Sequence, residues 1–406
     1  MAEKISAKMS YLTQIHTAWD GKEQRMALRQ EPRRYVAYDY IGCESWQSQY
    51  LRMLAYKSGT QLIELPLWHA ATLLEDHAYE GQTTLRVPPE AMWSFRNIGS
   101  VELWRDDKRG GGKYEIKYLA ANGVMGLTKQ LKRNYKAHLA TIIPVFYGIL
   151  QDDDSFANLH GDAVQMTLNL ELFRNQRAPD FPAAWDEMHD EPMAGASRFA
   201  FGLPAQYLGA EVFRFAPQWE EDVSASYAKN ANRLDYKSGV FRYDLKGVNP
   251  AETREVSIAG LSKAEIHNIE RFFMRHKGAW KSFYAPTWLN DIDIEGRQPA
   301  GQIFLLASFP YHWKYYAKAS RRRRLAVLFY TDGSAEILPL AGFSQDETGT
   351  LGKVYLETPL KHEILPQNVR MISFFTRCRF AEDDLVIDYE TTGAATVRIC
   401  LKEVDA

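Results

Sequence analysis

The chain carries only three cysteines, Cys43, Cys378 and Cys400. An odd count at wide spacing excludes a disulfide framework that uses all of them, and it offers no metal knuckle. They read as small buried hydrophobes. An excess of charge of one sign is also missing. The formal net charge is −2, so no global field draws the protein to nucleic acid or to an anionic membrane. No stretch approaches the roughly 20 apolar residues that span a bilayer. The start, Met1-Ala-Glu-Lys-Ile-Ser, has no apolar signal core, and the expectation is a chain made and folded in a cytoplasm. Gly-x-Ser-x-Gly, His-Glu-x-x-His and Gly-x-Gly-x-x-Gly do not occur. The ten histidines are scattered, and none has a neighbour that makes it a persuasive general base. The chain is therefore expected to need no cofactor and no metal, and not to be an enzyme.

What is present is a globular balance, with 46% hydrophobic and 25% charged residues over 406 positions. That length holds two domains of ordinary size. Aromatic residues make up 13%, and such rings fit pleated, half-buried surfaces and the centres of interfaces. β structure is expected.

The same order of features occurs twice. Tyr50 to Trp68 holds an amphipathic stretch, Gly59, a short apolar run and Pro66-Leu-Trp68. Asn268 to Trp288 holds an amphipathic stretch, Gly278, an aromatic run and Pro286-Thr-Trp288. Gly81-Gln-Thr-Thr-Leu-Arg-Val87 answers Gly301-Gln-Ile-Phe-Leu-Leu-Ala307, and the run 163–172 answers 395–403. Three ordered matches argue for a tandem duplication. The expected fold is mainly β: two copies of a β-sandwich or open-barrel module, each with one amphipathic helix. The first module covers 1–172, with its repeat from about Trp19. A Pro/Gly-rich connector or inserted lobe covers 173–222, parts of which are apolar enough to pack down. The second module covers 223–406.

Within the first module, Arg34–Ile41 reads as a strand and Trp46–Lys57 as a helix with Trp46, Tyr50, Met53 and Leu54 on one face. Gly59 sits where a left-handed cap would end that helix. Short strands are expected at Leu62–Leu65, Thr83–Val87, Val101–Trp104, Tyr114–Leu119, His138–Tyr147 and Ala163–Leu172. In the second, Arg254–Ala259 is a strand and Ser262-Lys-Ala-Glu265 a capping box. The helix behind it carries Ile266, Ile269, Phe272 and Phe273 and stops near Gly278. Trp280–Tyr284 is its partner strand. Asp332-Gly333 between Leu325–Tyr330 and Ala335–Leu338 is a hairpin signal, since that turn needs positive φ.

Several segments invite a chemical reading. Arg109-Gly-Gly-Gly-Lys113 lacks the first glycine and the Ser/Thr of a phosphate loop and reads as a hairpin loop. Gln151–Ser155 lacks the ligand spacing of a calcium loop and reads as a solvated turn; the equally acidic Ala381–Asp384 at the matching place suits a repeated loop rather than a metal cage. Asp186–Glu191 clusters a histidine with four carboxylates, in the connector. Asp291 and Asp293 would share a face in a strand, but nothing identifies an acid–base partner. Ser320-Arg-Arg-Arg-Arg324, near Tyr311–Tyr316, reads as a charged edge or as ion pairs with a neighbouring subunit. Pro66/Trp68 and Pro286/Trp288 read as rigid bends that drop an indole onto the core.

Trp19-Asp-Gly-Lys-Glu-Gln-Arg-Met-Ala-Leu-Arg-Gln-Glu-Pro-Arg-Arg34 resembles the opening of a group of tailed-bacteriophage tail proteins. Gly21, Glu23, Gln24, Arg25, Leu28, Arg29, Pro32, Arg33 and Arg34 match that pattern, as do Pro66-Leu-Trp68 and Pro286-Thr-Trp288. The resemblance implies a structural protein of the distal tail, tail tip or baseplate hub. It implies a homo-oligomeric ring of three or six chains and partners in the tail tube and neighbouring tail-tip proteins. The expected location is the virion tail, assembled in the bacterial cytoplasm, with no membrane anchor and no sequence-specific nucleic acid binding. The connector is not placed by the resemblance. Arginine's rigid fork suits carboxylates across a subunit boundary. Arg25, Arg29, Arg33, Arg34, Arg321, Arg322, Arg323 and Arg324 are therefore the candidate subunit contacts. The rival readings are an adhesin that grips host-surface sugar through exposed aromatics, and a cell-wall hydrolase using Asp291 and Asp293.

Overall fold

A computed structural model describes residues 2–404 except 19–20, 43, 59–60, 106–110, 152–154, 161–162, 174–177, 181–200, 221–222, 228–230, 246–250, 317–321 and 392. With 49% of residues in strands and 13% in helices, the protein is mainly β, as expected. Its named strands all pair antiparallel.

The chain opens with β1 (Ala2–Ser10) and a hairpin of β2 (Thr13–Thr17) and β3 (Glu23–Ala27). β4 (Arg33–Gly42) leads into helix α1 (Ser45–Ser58) and then β5 (Ile63–Pro66), β6 (Thr72–Leu73) and β7 (Thr84–Arg86). β8 (Ser100–Trp104), β9 (Gly112–Leu119) and β10 (Val124–Leu127) follow. β11 (Thr141–Leu150), β12 (Ser155–His160) and β13 (Ala163–Phe173) close the first half. β13 pairs with β4, β11 and β12. β11 also takes β5, β6 and β8, and the ladder continues from β8 to β9, β10 and β7.

The connector contributes a small hairpin, β14 (Gln206–Tyr207) with β15 (Ala210–Glu211). The second half begins with β16 (Ser224–Tyr227) and a hairpin of β17 (Ala231–Asp235) and β18 (Phe241–Leu245). β19 (Glu252–Leu261) leads into helix α2 (Lys263–His276), then β20 (Phe283–Pro286), β21 (Phe304–Ala307) and the short helix α3 (His312–Tyr316). β22 (Leu325–Tyr330), β23 (Ala335–Gln345) and β24 (Gly352–Leu356) precede β25 (Val369–Phe380), β26 (Asp384–Thr391) and β27 (Ala394–Glu403). β27 pairs with β19, β25 and β26. β25 also takes β20 and β22, and the ladder continues from β22 to β23, β24 and β21.

β1 joins the halves. One edge pairs with β4 and the other with β26, so hydrogen bonding is continuous from one half to the other. Met9 and Tyr11 are buried in the core of the second half, although they precede the first. That core also takes Leu203, Val212 and Phe213 from the connector, so the parts of 173–222 that are described pack down. The first half has its own core around Tyr38, Met92, Phe95 and Ile142, and a third cluster lies around Leu305, Leu328 and Phe374.

Local sequence explains most elements. β27 alternates partly and fully buried positions, as a half-covered strand does. Ser262 and Glu265 form the expected capping box on α2, and Lys277 and Gly278 end it with φ of 49° and 65°. The Asp332-Gly333 turn has φ 86° at the glycine. Gly59 lies outside the described residues. Of the expected face of α1, Trp46, Tyr50 and Met53 are exposed and Leu54 alone packs down, together with Ser48 and Leu51. His138–Tyr147 begins its strand three residues late, at Thr141, because His138 adopts positive φ in a turn.

Candidate functional site

The two halves meet at a polar, buried junction. α2 lies against the 3-10 turn Pro89–Phe95. Trp93 Nε1 donates to Glu270 Oε2 at 2.9 Å, and Lys263 Nζ donates to the Ala71 carbonyl at 2.5 Å. The Arg271 guanidinium lies 5.1 Å over the Trp93 ring. His267 Nδ1 is 3.0 Å from the Glu90 carbonyl, which can only accept, so Nδ1 carries the proton and Nε2 accepts from Ser94 Oγ at 3.1 Å. His69 stacks against Tyr389 across the same boundary at 4.6 Å.

Burial controls the ionisation here. It pushes His69 and His267 down to about 3, helped by the charge of Lys263. It lowers Lys263 to about 8 and raises Glu270, the latter against the pull of Arg34. Both histidines are thus neutral when folded but would take a proton near pH 6.5 when unfolded. Their contribution is complete above about pH 6.5 and is lost as pH falls towards about 3, at up to about 1.4 kcal/mol per pH unit for each. Thermal melts should therefore show a fall in midpoint from about pH 7 to about pH 5, flattened in His267→Gln. Parallel profiles for the two proteins would contradict this assignment.

The N-terminal hairpin staples the junction from the other side. Glu23 on β3 accepts from Arg379 Nε at 2.7 Å, Arg379 Nη2 at 3.0 Å and Lys402 Nζ at 3.0 Å. Burial alone would raise the Glu23 carboxyl, but the bonds and charges of Arg379 and Lys402 outweigh it and hold it at about 2. Asp383 accepts from Thr13 N, Thr13 Oγ1 and Ala279 N, at 2.5, 2.7 and 2.9 Å. It is thus a structural acceptor within the acidic loop 381–384.

Four of the candidate arginines, Arg25, Arg29, Arg34 and Arg323, are largely turned into the chain, while Arg33 and Arg324 are exposed. Arg25 is half-buried near Glu23, Arg377 and Arg379, and burial lowers its pKa. Arg29 donates to the carbonyls of Ser10 and Tyr11, at 3.4 and 3.3 Å. Arg34 is half-buried at the junction, close enough for its charge to act on Glu270 and His69. Arg33 alone of the four is exposed, 3.8 Å from Glu171. Arg321 lies outside the described residues. Arg322–Arg324 form a turn before β22, so the arginines do not alternate across a strand. Arg323 is buried between Glu252, at 2.8 Å, and Glu403. Burial opposes its charge, but Glu403 and Glu252 raise its pKa. Arg254 completes the cluster and donates to Thr376 Oγ1 at 2.9 Å and Cys378 Sγ at 2.8 Å. These charges organise the chain itself, and the sequence could not show that because their partners are far away along it.

The two Pro-x-Trp bends differ. Trp288 is buried, with φ 57°, and stacks on Phe329 at 5.3 Å under Phe201 and Trp219. Trp68 is 41% exposed and only touches Trp104 edge-on, so its indole is not dropped onto the core as expected. Asp291 and Asp293 do not share a strand face. Asp291 accepts from Thr287 Oγ1 and Phe374 N behind the Pro286 bend, and Asp293 accepts from Ser308 Oγ. Residues 106–110 of the glycine-rich run lie outside the described residues; the strands on either side, β8 and β9, pair antiparallel, with no strand-to-helix turn. The acidic clusters at 152–154 and 186–191 lie outside the described residues. Among the described residues no group of three or more His, Cys, Asp or Glu side chains is placed to hold a metal, and no helix is long and apolar enough to cross a membrane. No protein-family profile matches the chain, and a comparison with curated proteins finds no match.

Proposed function

We propose that the chain is a tandem pair of one β module and a structural ring component of the distal end of a phage tail. One observation carries the modular half of this reading: the two ladders agree in order and in register. Leu67 N bonds the Pro144 carbonyl, and Thr287 N bonds the Phe374 carbonyl. Gly81 N bonds Leu131 O and Gly301 N bonds Leu360 O. Tyr38 faces Leu168, and Val256 faces Ile399. These pairs fall on the sequence matches at Pro66/Pro286 and Gly81/Gly301. Agreement of strand order and register together supports the duplication.

The tail assignment rests on the resemblance, and the place of its motif supports an architectural role. Glu23 and Arg25 belong to the hairpin that staples one half onto the other, and Arg29, just after it, ties the chain back to Ser10 and Tyr11. Two similar modules per chain let three chains present six similar units around an axis. A ring closes only through a heterologous contact whose rotation returns to the start. The expected ring contains three chains, with tail-tube and tail-tip proteins as neighbours. Exposed rings such as Trp46 and Tyr50 leave a sugar-binding adhesin as the second reading. Native mass spectrometry of the protein, alone and with tail components, tests the ring. A threefold multiple supports it, and a strict monomer that binds glycan supports the adhesin.

A further inference from the structure

The junction inside the chain has three parts, and each has a counterpart that makes no such junction among the described residues. The first part is β1, which lies between β4 and β26. Ala7 faces Val36 on β4, and Ala225 faces Arg254 on β19, so β16 is to the second half what β1 is to the first. Among the described residues β16 pairs with β19 alone. β12 stands on β13 as β26 stands on β27, with Phe156 opposite Met166 and Ile387 opposite Val397. β12 likewise pairs with β13 alone.

The second part is the stapling hairpin. β2–β3 and β17–β18 share their register, Thr13 with Ala27 and Ala231 with Leu245. They share the turn as well: Ala18 N bonds Lys22 O, Tyr236 N bonds Val240 O, and Gly21 and Gly239 have φ of 85° and 83°. Yet β2–β3 is pinned by Glu23, while β17–β18 projects with Phe241 and Tyr243 about half exposed. Phe241 takes the place of Glu23. Ile149, half-buried at the end of β11, takes the place of Arg379 on β25. An ion pair in one setting corresponds to an apolar pair in the other.

The third part is the helix. α2 presents Lys263, His267, Glu270 and Arg271 to the turn that carries Trp93. The matching positions on α1 are Ser45, Gln49, Arg52 and Met53, all exposed, Met53 by 64%. Trp313 stands as far past Gly301 as Trp93 stands past Gly81, and it is exposed beside Phe309 and Tyr311. Large exposed apolar patches mark interaction surfaces, and unpaired strand edges invite another strand.

We infer that a second copy of the chain covers these surfaces, head to tail, by repeating the internal junction between molecules. β16 of one chain adds to the β12 edge of the next, its β17–β18 arm seats near Ile149, and the next chain's α1 meets α3. The inference rests on the duplicated-module reading and fixes a register. Lys8 faces Val386 within the chain, so Ser226 faces Ser155 between chains. Residues directly opposite in an antiparallel pair have Cα atoms about 4.5–5.5 Å apart, within disulfide reach.

The test uses full-length chains, one with Ser155→Cys and one with Ser226→Cys, mixed at high concentration under mild oxidation. A mixed covalent dimer is expected, absent with either variant alone, and weakened several-fold by Met53→Asp or Trp313→Asp on an otherwise folded chain. No mixed dimer, or an equal yield when Ser226→Cys is replaced by the off-register Ser224→Cys, overturns the inference. The chain carrying both cysteines then separates it from the ring reading. A ladder that stops at one closed species supports both. A ladder that extends without limit keeps the contact and rejects the ring.

Discussion

Replacing Arg323 with alanine is expected to remove several kcal/mol of stability from the second half. Glu252 and Glu403 are each about 2% exposed, and Arg323 is the cation that hydrogen-bonds both. Arg254 alone would remain; its nearest approach to Glu252 is 3.6 Å, and its guanidinium is directed to Thr376 and Cys378. Breaking a buried ion pair by removing one partner costs about 3–5 kcal/mol, because the remaining charge stays desolvated. The lost packing of the guanidinium over Phe374, 5.2 Å away, adds to this. Urea denaturation followed by intrinsic tryptophan fluorescence reads the effect as a lower midpoint. Arg323→Lys should recover only part, since one ammonium cannot reproduce the fork that reaches two carboxylates. An alanine variant with an unchanged midpoint would show that the cluster is solvated and its pairing weak.

The second large effect is expected at Glu23. Its side chain is 7% exposed, and that of Arg379 is 4% exposed. Glu23→Ala leaves the Arg379 guanidinium buried with only the carbonyls of Phe380 and Ala381 as acceptors. The loss should be on the order of 3 kcal/mol, and it should fall on the contact between the hairpin and the second half. Limited proteolysis is the direct readout, with faster cleavage at Lys22 or Arg25 while the first-half core stays protected. The pH dependence has a definite sign. The Glu23 carboxyl is held at about 2, below its usual value of 4.5, so its contribution is complete above about pH 4.5 and is lost as pH falls towards 2. The variant should lack that acid-sensitive phase. Cleavage at the wild-type rate would mean that the hairpin is held by β1 and Asp383 alone.

Strands whose side chains alternate, such as Val101–Trp104 and Ala163–Leu172, could be read directly, and so could the Ser262 cap and the Asp332-Gly333 turn, because each signal is local. β1 could not. Ile5, Ala7 and Met9 do alternate with Ser6, Lys8 and Ser10, but the run is short and one of its two partners, β26, lies at the far end of the chain, so nothing local places it between two strands. The inward-facing arginines were hidden for another reason. Arg323 meets partners 71 and 80 positions away, and Glu23 meets Arg379 at a separation of 356. No spacing rule reaches that far. α1 shows a third limit. Its pattern marks Trp46, Tyr50, Met53 and Leu54 as one face, but only Leu54 meets the same chain, and nothing in the pattern separates it from the exposed three.

On the reading proposed above, two joined modules build a ring at the end of a tail. Cryo-EM class averages of the particle that carries this protein, or of its purified assembly, test that claim most directly. The account predicts a closed ring of three chains showing six similar lobes, with within-chain and between-chain contacts alternating around the axis. A single copy per particle, or a position on the capsid shell, would contradict it.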